Sequence, residues 1–131
     1  MRDVRRVLIA EDDFMYRATI ARLIEPLGVT CVAVADGLQA AALLGDLSQE
    51  FHLVITDFRM PGGSGWHVVE AARRHRGAAL PIIMQTGESQ YSDVYLRAEE
   101  LGVPVIAKSD IFSLLVPAVE AALAGGAATG A

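Results

Sequence analysis

The sequence predicts an α/β domain: a five-stranded parallel sheet in the doubly wound order 2-1-3-4-5, with five helices on its two faces. Three observations carry that expectation. Five short apolar runs alternate with five stretches of helical character along the chain. Runs so uniformly apolar fit strands covered by helices on both sides, the arrangement of a parallel sheet. And 131 residues, 53% of them hydrophobic, suit one domain with a core that needs no staples.

The first strand is Val4–Ala10, which ends in Glu11-Asp12-Asp13. A helix follows, with Phe14, Ala18, Ala21 and Ile24 at helical spacing, Asp13 as its cap, and Pro26 and Gly28 as its stop. Val29–Ala35 is the second strand. Asp36-Gly37 turns the chain into a short helix, Leu38–Leu44, closed by Gly45. Leu53–Thr56 is the third strand, and it delivers Asp57 to a loop rich in proline and glycine, Pro61 to Gly65. Trp66–Arg76 is the third helix, with Val68, Val69 and Ala72 on its apolar side and Gly77 as its stop. The run Arg73-Arg74-His75-Arg76 reads as a solvated helix end that complements the helix dipole. Leu80–Met84 is the fourth strand, with Pro81 near its start. A loop over residues 85–89 leads to a helix, Gln90–Leu101, ended by Gly102. Val103–Ala107 is the fifth strand, and Lys108 follows it. Asp110–Ala124 is helical, with Pro117 placing the regular helix near Val116 after a looser turn. The domain spans residues 1–124; residues 125–131 read as a flexible tail.

Composition narrows the function classes. A net charge of −5 and a pI near 5.1 argue against a phosphate-backbone-binding surface and against an anionic membrane. No apolar run approaches a membrane span, and the basic N-terminus runs into acids too soon for a signal peptide. One cysteine, Cys31, lies in an apolar run and reads as core. The expected compartment is the cytoplasm. His52 and His67 lack partners at ligand spacing and read as structural. Arginine is the ordinary cation of this chain, and Lys108 is its single lysine.

In the predicted topology, strand ends converge on one crevice. The first strand brings Glu11 and Asp12, the third Asp57, the fourth Thr86 and the fifth Lys108. Two like charges about 4 Å apart cost about 4 kcal/mol at an effective dielectric near 20. Carboxylates gathered there therefore hold a proton or a cation. Hard oxygen ligands favour Mg²⁺; without histidine or cysteine at these strand ends, zinc is disfavoured. A metal beside a carboxylate, a hydroxyl and a lysine suits phosphoryl transfer.

The motifs EDD (11–13), TDFRMPGGSG (56–65), TG (86–87) and AKS (107–109), in this order and spacing, resemble the receiver domain of bacterial two-component response regulators over nearly the whole chain. That resemblance implies a flavodoxin-like fold of the chemotaxis-regulator kind. It implies that Asp57 takes a phosphoryl group from a histidine kinase or histidine phosphotransfer protein. It implies Mg²⁺ held by Glu11, Asp12, Asp57 and the backbone carbonyl of Arg59. Thr86 and Lys108 match the phosphate-sensing hydroxyl and lysine, and Arg59 and Glu88 stand where the family tunes hydrolysis. Asp13 matches no ligand position.

Two positions depart from the family. Ser109 stands where a proline usually follows the lysine, so a trans bond is expected after Lys108. Val105 stands where the family usually has a switch aromatic, so the aromatic half of the switch is missing or is supplied by Tyr91, Tyr95 or Phe112. The expected output acts in trans on a downstream protein the sequence does not name, or through a phosphorelay. The fourth helix and fifth strand offer a homodimer face. Two other readings are a phosphorylation-independent interaction module and a Mg²⁺-dependent aspartyl-phosphate phosphohydrolase. The second of these is disfavoured by Arg59, where such an enzyme has an acid.

Overall fold

The computed structural model describes residues 4–89 and 92–130, with side chains as far as residue 125. Its elements are β1 (Arg5–Ala10), α1 (Phe14–Ile24), β2 (Val29–Val34), α2 (Gly37–Gly45), β3 (Leu53–Asp57), α3 (Gly65–Arg76), β4 (Ile82–Thr86), α4 (Asp93–Leu101), β5 (Val105–Ala107) and α5 (Ile111–Gly130). A short 3₁₀ turn, Glu25–Leu27, follows α1, and another, Lys108–Asp110, follows β5. The strands form one parallel sheet in the order β2-β1-β3-β4-β5, as the sequence predicts.

Strand alternation divides the core in two. Val7, Ile9, Leu53, Ile55, Ile83 and Ile106 point to α1 and α5. Leu8, Ala10, Val54, Ile82 and Met84 point to α2, α3 and α4. Register keeps each row level: Ile9 lies beside Ile55, and Ile55 beside Ile83. Cys31 packs against the first of these clusters, and burial, then the charge of Glu25, pushes its thiol up to about 11.

Several expectations shift. In α1 the inward stripe is Ile20 and Ile24 with Tyr16 behind them, and Phe14 is 71% exposed. Residues 16, 20 and 24 repeat every fourth position, and that stripe sets the rotation of the helix. Strand β4 starts after Pro81 and runs on through Thr86, so Gln85 and Thr86 belong to the strand rather than to a loop. Strand β5 starts after Pro104, which cannot donate to the ladder. Helix α4 starts at Asp93; Gln90 and Tyr91 lie outside the described residues.

Helix α5 is regular from Ile111 and passes through Pro117. Interior proline costs about 3 kcal/mol. Against it stand Ile111, Leu115, Val119 and Leu123, one buried stripe whose members contribute roughly 1.5–3 kcal/mol each. Packing outweighs propensity. The helix also continues past Ala124 to Gly130, where the sequence places a tail.

The arginine-rich end of α3 does more than face solvent. Arg76 donates to the carbonyls of Leu44, Leu43 and Asp46 at 2.8, 3.2 and 3.0 Å, and Arg73 donates to Leu101 at 3.2 Å. These guanidinium groups thus add donors to the carbonyls at and just beyond the ends of α2 and α4. Both arginines tie α3 to its neighbours; Arg74 and His75 stay exposed. His52 is structural, as expected: its Nδ1 accepts from the Arg6 N–H at 3.0 Å, below the start of β3. His67 is too, accepting from the Ser64 N–H at 3.0 Å in the capping box of α3.

Candidate functional site

The crevice opens where β1 and β3 part at the carboxyl edge of the sheet. Each strand brings its side chain there by the same alternation. Ile9 is followed two residues later by Glu11, Ile55 by Asp57, Ile83 by Gln85 and Ile106 by Lys108. The isoleucines lie in the α1/α5 core, so the polar groups cap that layer.

The backbone around Asp57 is tightly packed. A Cβ at Gly65 would lie 2.6 Å from the Asp57 carbonyl oxygen and 3.1 Å from the Phe58 Cα. Only glycine lets α3 begin this close behind the acid. The preceding turn needs φ of 70° at Gly62 and 123° at Gly63. Asp57 Oδ1 accepts from the Phe58 N–H at 2.8 Å. Oδ2 accepts from Lys108 Nζ at 2.9 Å.

Glu11 is fully buried. Its Oε1 accepts from the Asp13 N–H at 3.0 Å, and its Oε2 lies 3.3 Å from Lys108 Nζ and 3.5 Å from Gln85 Nε2. Burial pushes the Glu11 carboxyl up to about 7, the Asp13 N–H opposes the rise, the Asp57 charge adds to it, and Lys108 opposes it. Burial also works against the Lys108 ammonium, but its bonds and charge contacts with Asp57 and Glu11 outweigh that, so its pKa stays above the usual lysine value. One ammonium is shared by two buried carboxylates.

Asp12 is exposed at the rim, and Asp13 caps α1, accepting from the Tyr16 N–H at 2.9 Å. Thr86 is buried, and its hydroxyl accepts from the Glu88 N–H at 3.0 Å. Arg59 Nη2 donates to Glu88 Oε1 at 2.7 Å, joining the loops after β3 and β4. Glu11, Asp12, Asp13, Asp57, Arg59, Thr86, Gly87, Glu88 and Lys108 together line an open cleft of about 380 Å³.

Carboxylate oxygens of Glu11, Asp12 and Asp57 all lie within 4.8 Å of one another. An all-oxygen set with one open side fits a hard divalent cation that keeps waters, as Mg²⁺ does. The peptide bond after Lys108 is trans, as Ser109 predicts, and the chain turns there through the 3₁₀ segment into α5. Val105 is half-buried against the core on the α2–α4 side, Tyr95 is half-buried on α4, and Phe112 is 75% exposed.

Sequence reasoning missed two residues at the site. Gln85 is fully buried beside Glu11, and the repeat of isoleucine two residues before each polar strand end pointed to it. Tyr16 lies with its ring under Lys108 Nζ, 4.6 Å from ammonium to ring centre. The spacing of residues 16, 20 and 24 was its signal.

The response regulator receiver domain family matches residues 7–115. Chemotaxis protein CheY of Pseudomonas aeruginosa is 35% identical over 100 residues, 75% of this chain and 78% of that protein. Transcriptional regulatory protein PdtaR of Mycobacterium tuberculosis is 35% identical over 120 residues, 91% of this chain and 57% of that one. The Regulator of RpoS of Escherichia coli is 32% identical over 99 residues, and the match spans only 28% of its length. Among solved structures, the receiver domain of the hybrid histidine kinase CckA is 26% identical with a TM-score of 0.72, covering 90% of this chain and 98% of that one. A CheY-like receiver protein from Methanospirillum hungatei is 20% identical with a TM-score of 0.86, covering 97% and 99%, and bears on the fold alone. The matched region takes in every strand end that meets in the cleft, and on that footing the chain belongs to the response regulator receiver domain family.

Proposed function

We propose that Asp57 accepts a phosphoryl group from a phosphohistidine on a sensor histidine kinase or histidine phosphotransfer protein. The phosphorylated domain then signals in trans to a partner protein or passes the group on. The observation that carries this reading is Lys108: its ammonium sits 2.9 Å from Asp57 and 3.3 Å from Glu11, inside a cluster of three acids. A lysine so placed stabilises the negative charge that builds on a phosphoryl group in transfer.

In the proposed step, a carboxylate oxygen of Asp57 attacks phosphorus. The bond from phosphorus to the donor imidazole nitrogen breaks, its electron pair stays with the imidazole, and that ring takes up a proton. Lys108 stabilises the phosphoryl oxygens in the transition state. Thr86 already accepts from the Glu88 N–H, so its own hydroxyl proton is left to donate to a phosphoryl oxygen. Glu11, Asp12, Asp57 and the Arg59 carbonyl would hold Mg²⁺, which would supply the remaining charge neutralisation. The Arg59–Glu88 pair spans the mouth of the cleft, where it would limit the approach of water to the acyl phosphate. The chain performs at most its own phosphorylation and slow hydrolysis. The reading carries with it a cytoplasmic setting and the α4–β5 face as a place for a second copy or an output partner. Among the described residues, no helix is long and apolar enough to cross a membrane.

Intact-protein mass spectrometry tests the reading. The protein is incubated with Mg²⁺ and acetyl phosphate, alongside Asp57→Asn. One added phosphoryl group on wild type, absent from the variant and abolished by chelator, is the expected result. No adduct with acetyl phosphate or with a phosphorylated histidine phosphotransfer domain would overturn it and favour a phosphorylation-independent interaction module. Multiple turnover of a phosphomonoester would favour a phosphohydrolase.

A further inference from the structure

One aromatic side chain touches the cation of the site, and it comes from α1 rather than β5. Among the described residues, the Lys108 ammonium lies against Asp57 Oδ2 at 2.9 Å, Glu11 Oε2 at 3.3 Å and the face of the Tyr16 ring at 4.6 Å. The ring is fixed from behind. Tyr16 stands at the third residue of α1, its N–H capped by Asp13, and it packs with Ile20 and Ile24 against the sheet. Its hydroxyl is buried and, among the described residues, has no hydrogen-bond partner. The ring face meets the part-buried Lys108 ammonium, and a cation is drawn to such a face. Lysine also has a flexible four-carbon stem with many rotamers. Two carboxylates on one side do not by themselves fix where its ammonium rests.

We propose that Tyr16 is a positioning residue for Lys108: its ring holds the ammonium between Asp57 and Glu11, where the incoming phosphoryl group meets it. The second half of this statement rests on the phosphoacceptor reading above. Tyr16 acts on the reaction only through Lys108. It also makes α1 the helix that feels where the ammonium goes, at a site whose β5 carries Val105 in place of an aromatic.

Because Lys108 is the single lysine, labelling lysine at ¹³Cε gives one side-chain signal in an NMR spectrum of the whole chain. The ring current is expected to shift the Lys108 Hε protons upfield of free lysine in wild type and in Tyr16→Phe, and to leave them unshifted in Tyr16→Leu. An unshifted signal in wild type overturns the proposal. The second measurement is the rate of phosphorylation by acetyl phosphate with Mg²⁺. Tyr16→Leu is expected to be about tenfold slower and Tyr16→Phe within about twofold of wild type. Equal rates in wild type and Tyr16→Leu overturn it, as does Tyr16→Phe as slow as Tyr16→Leu. Should Tyr16→Leu fail to fold, judged by Trp66 fluorescence, Tyr16→Met takes its place. If wild type takes no phosphoryl group from any donor, the phosphoacceptor reading falls, while the lysine signal still decides whether the ring holds the ammonium.

Discussion

On the face of the sheet covered by α2, α3 and α4, the buried layer is apolar except for the hydroxyl of Thr56, between Ala10 and Met84, and Thr86, which follows Met84 at the strand end. Leu8, Val54 and Ile82 are followed by Ala10 and Met84, and Gly65 seals the top against Asp57. On the face covered by α1 and α5, the layer stops one step short. Above Ile9, Ile55, Ile83 and Ile106 come Glu11, Asp57, Gln85 and Lys108. The backbone is the same on both faces, and so is the alternation. What differs is the chemistry of a single row of side chains. That row exchanges burial of apolar area for charges held out of water, and its neighbourhood includes two buried polar atoms without partners among the described residues, Gln85 Oε1 and the Tyr16 hydroxyl. The layer beneath it supplies stability; the row itself costs stability and carries the proposed phosphoacceptor.

The largest effect is expected from cutting the layer just beneath the row. Ile55 is fully buried between Ile9 and Ile83. Ile55→Ala should cost about 2–5 kcal/mol, from lost transfer energy and the cavity left behind. Urea denaturation followed by Trp66 fluorescence measures it. A loss below about 1 kcal/mol would mean that this layer does not bear the load assigned to it.

A smaller effect, dependent on pH, comes from the row itself. Glu11 is raised from 4.5 to about 7 in the fold, first by burial. Its contribution to stability is therefore fully present below pH 4.5 and is lost as pH rises through about 7. With one pKa unit equal to about 1.4 kcal/mol, the loss is about 3 kcal/mol at most. In chelator, the metal-free protein should be more stable near pH 5.5 than near pH 8 on this account. Added Mg²⁺ binds the ionised carboxylates, so it should restore stability at pH 8 and do little at pH 5.5. Denaturation midpoints at the two pH values, with and without Mg²⁺, check the sign. An equal Mg²⁺ effect at both would separate Glu11 from the metal.

Much of this was legible in the sequence, for physical reasons. The apolar runs are buried on both sides, so they stand out, and the sheet order follows from the handedness of crossovers. Glu11, Asp12, Asp57, Thr86 and Lys108 were readable because each ends a strand, and strand ends converge in such a fold. Less legible was whatever depended on tertiary choice. Phe14 and Tyr16 are both aromatic residues near the start of α1, and only packing against β1 and α5 decides which turns inward. Pro117 argues against a regular helix locally, and the buried stripe from Ile111 to Leu123 overrides it. Arg76 looks like a solvated charge until α2 ends within reach of it.

Gln85 gives the smallest and sharpest test of the two-face picture. It is fully buried, its Nε2 reaches Glu11 at only 3.5 Å, and its Oε1 has no partner among the described residues. An unbranched apolar side chain of similar size would remove the unpaired carbonyl and extend the isoleucine layer upward by one row. Gln85→Met should therefore stabilise the metal-free protein by about 1 kcal/mol. The gain should be larger near pH 5.5 than near pH 8, because ionised Glu11 loses a donor and protonated Glu11 has less need of one. If stability rises while phosphorylation by acetyl phosphate slows, the glutamine is kept for the chemistry of the row. If stability falls at both pH values, Oε1 has a partner in solution, and the polar row is better satisfied than its protein contacts indicate.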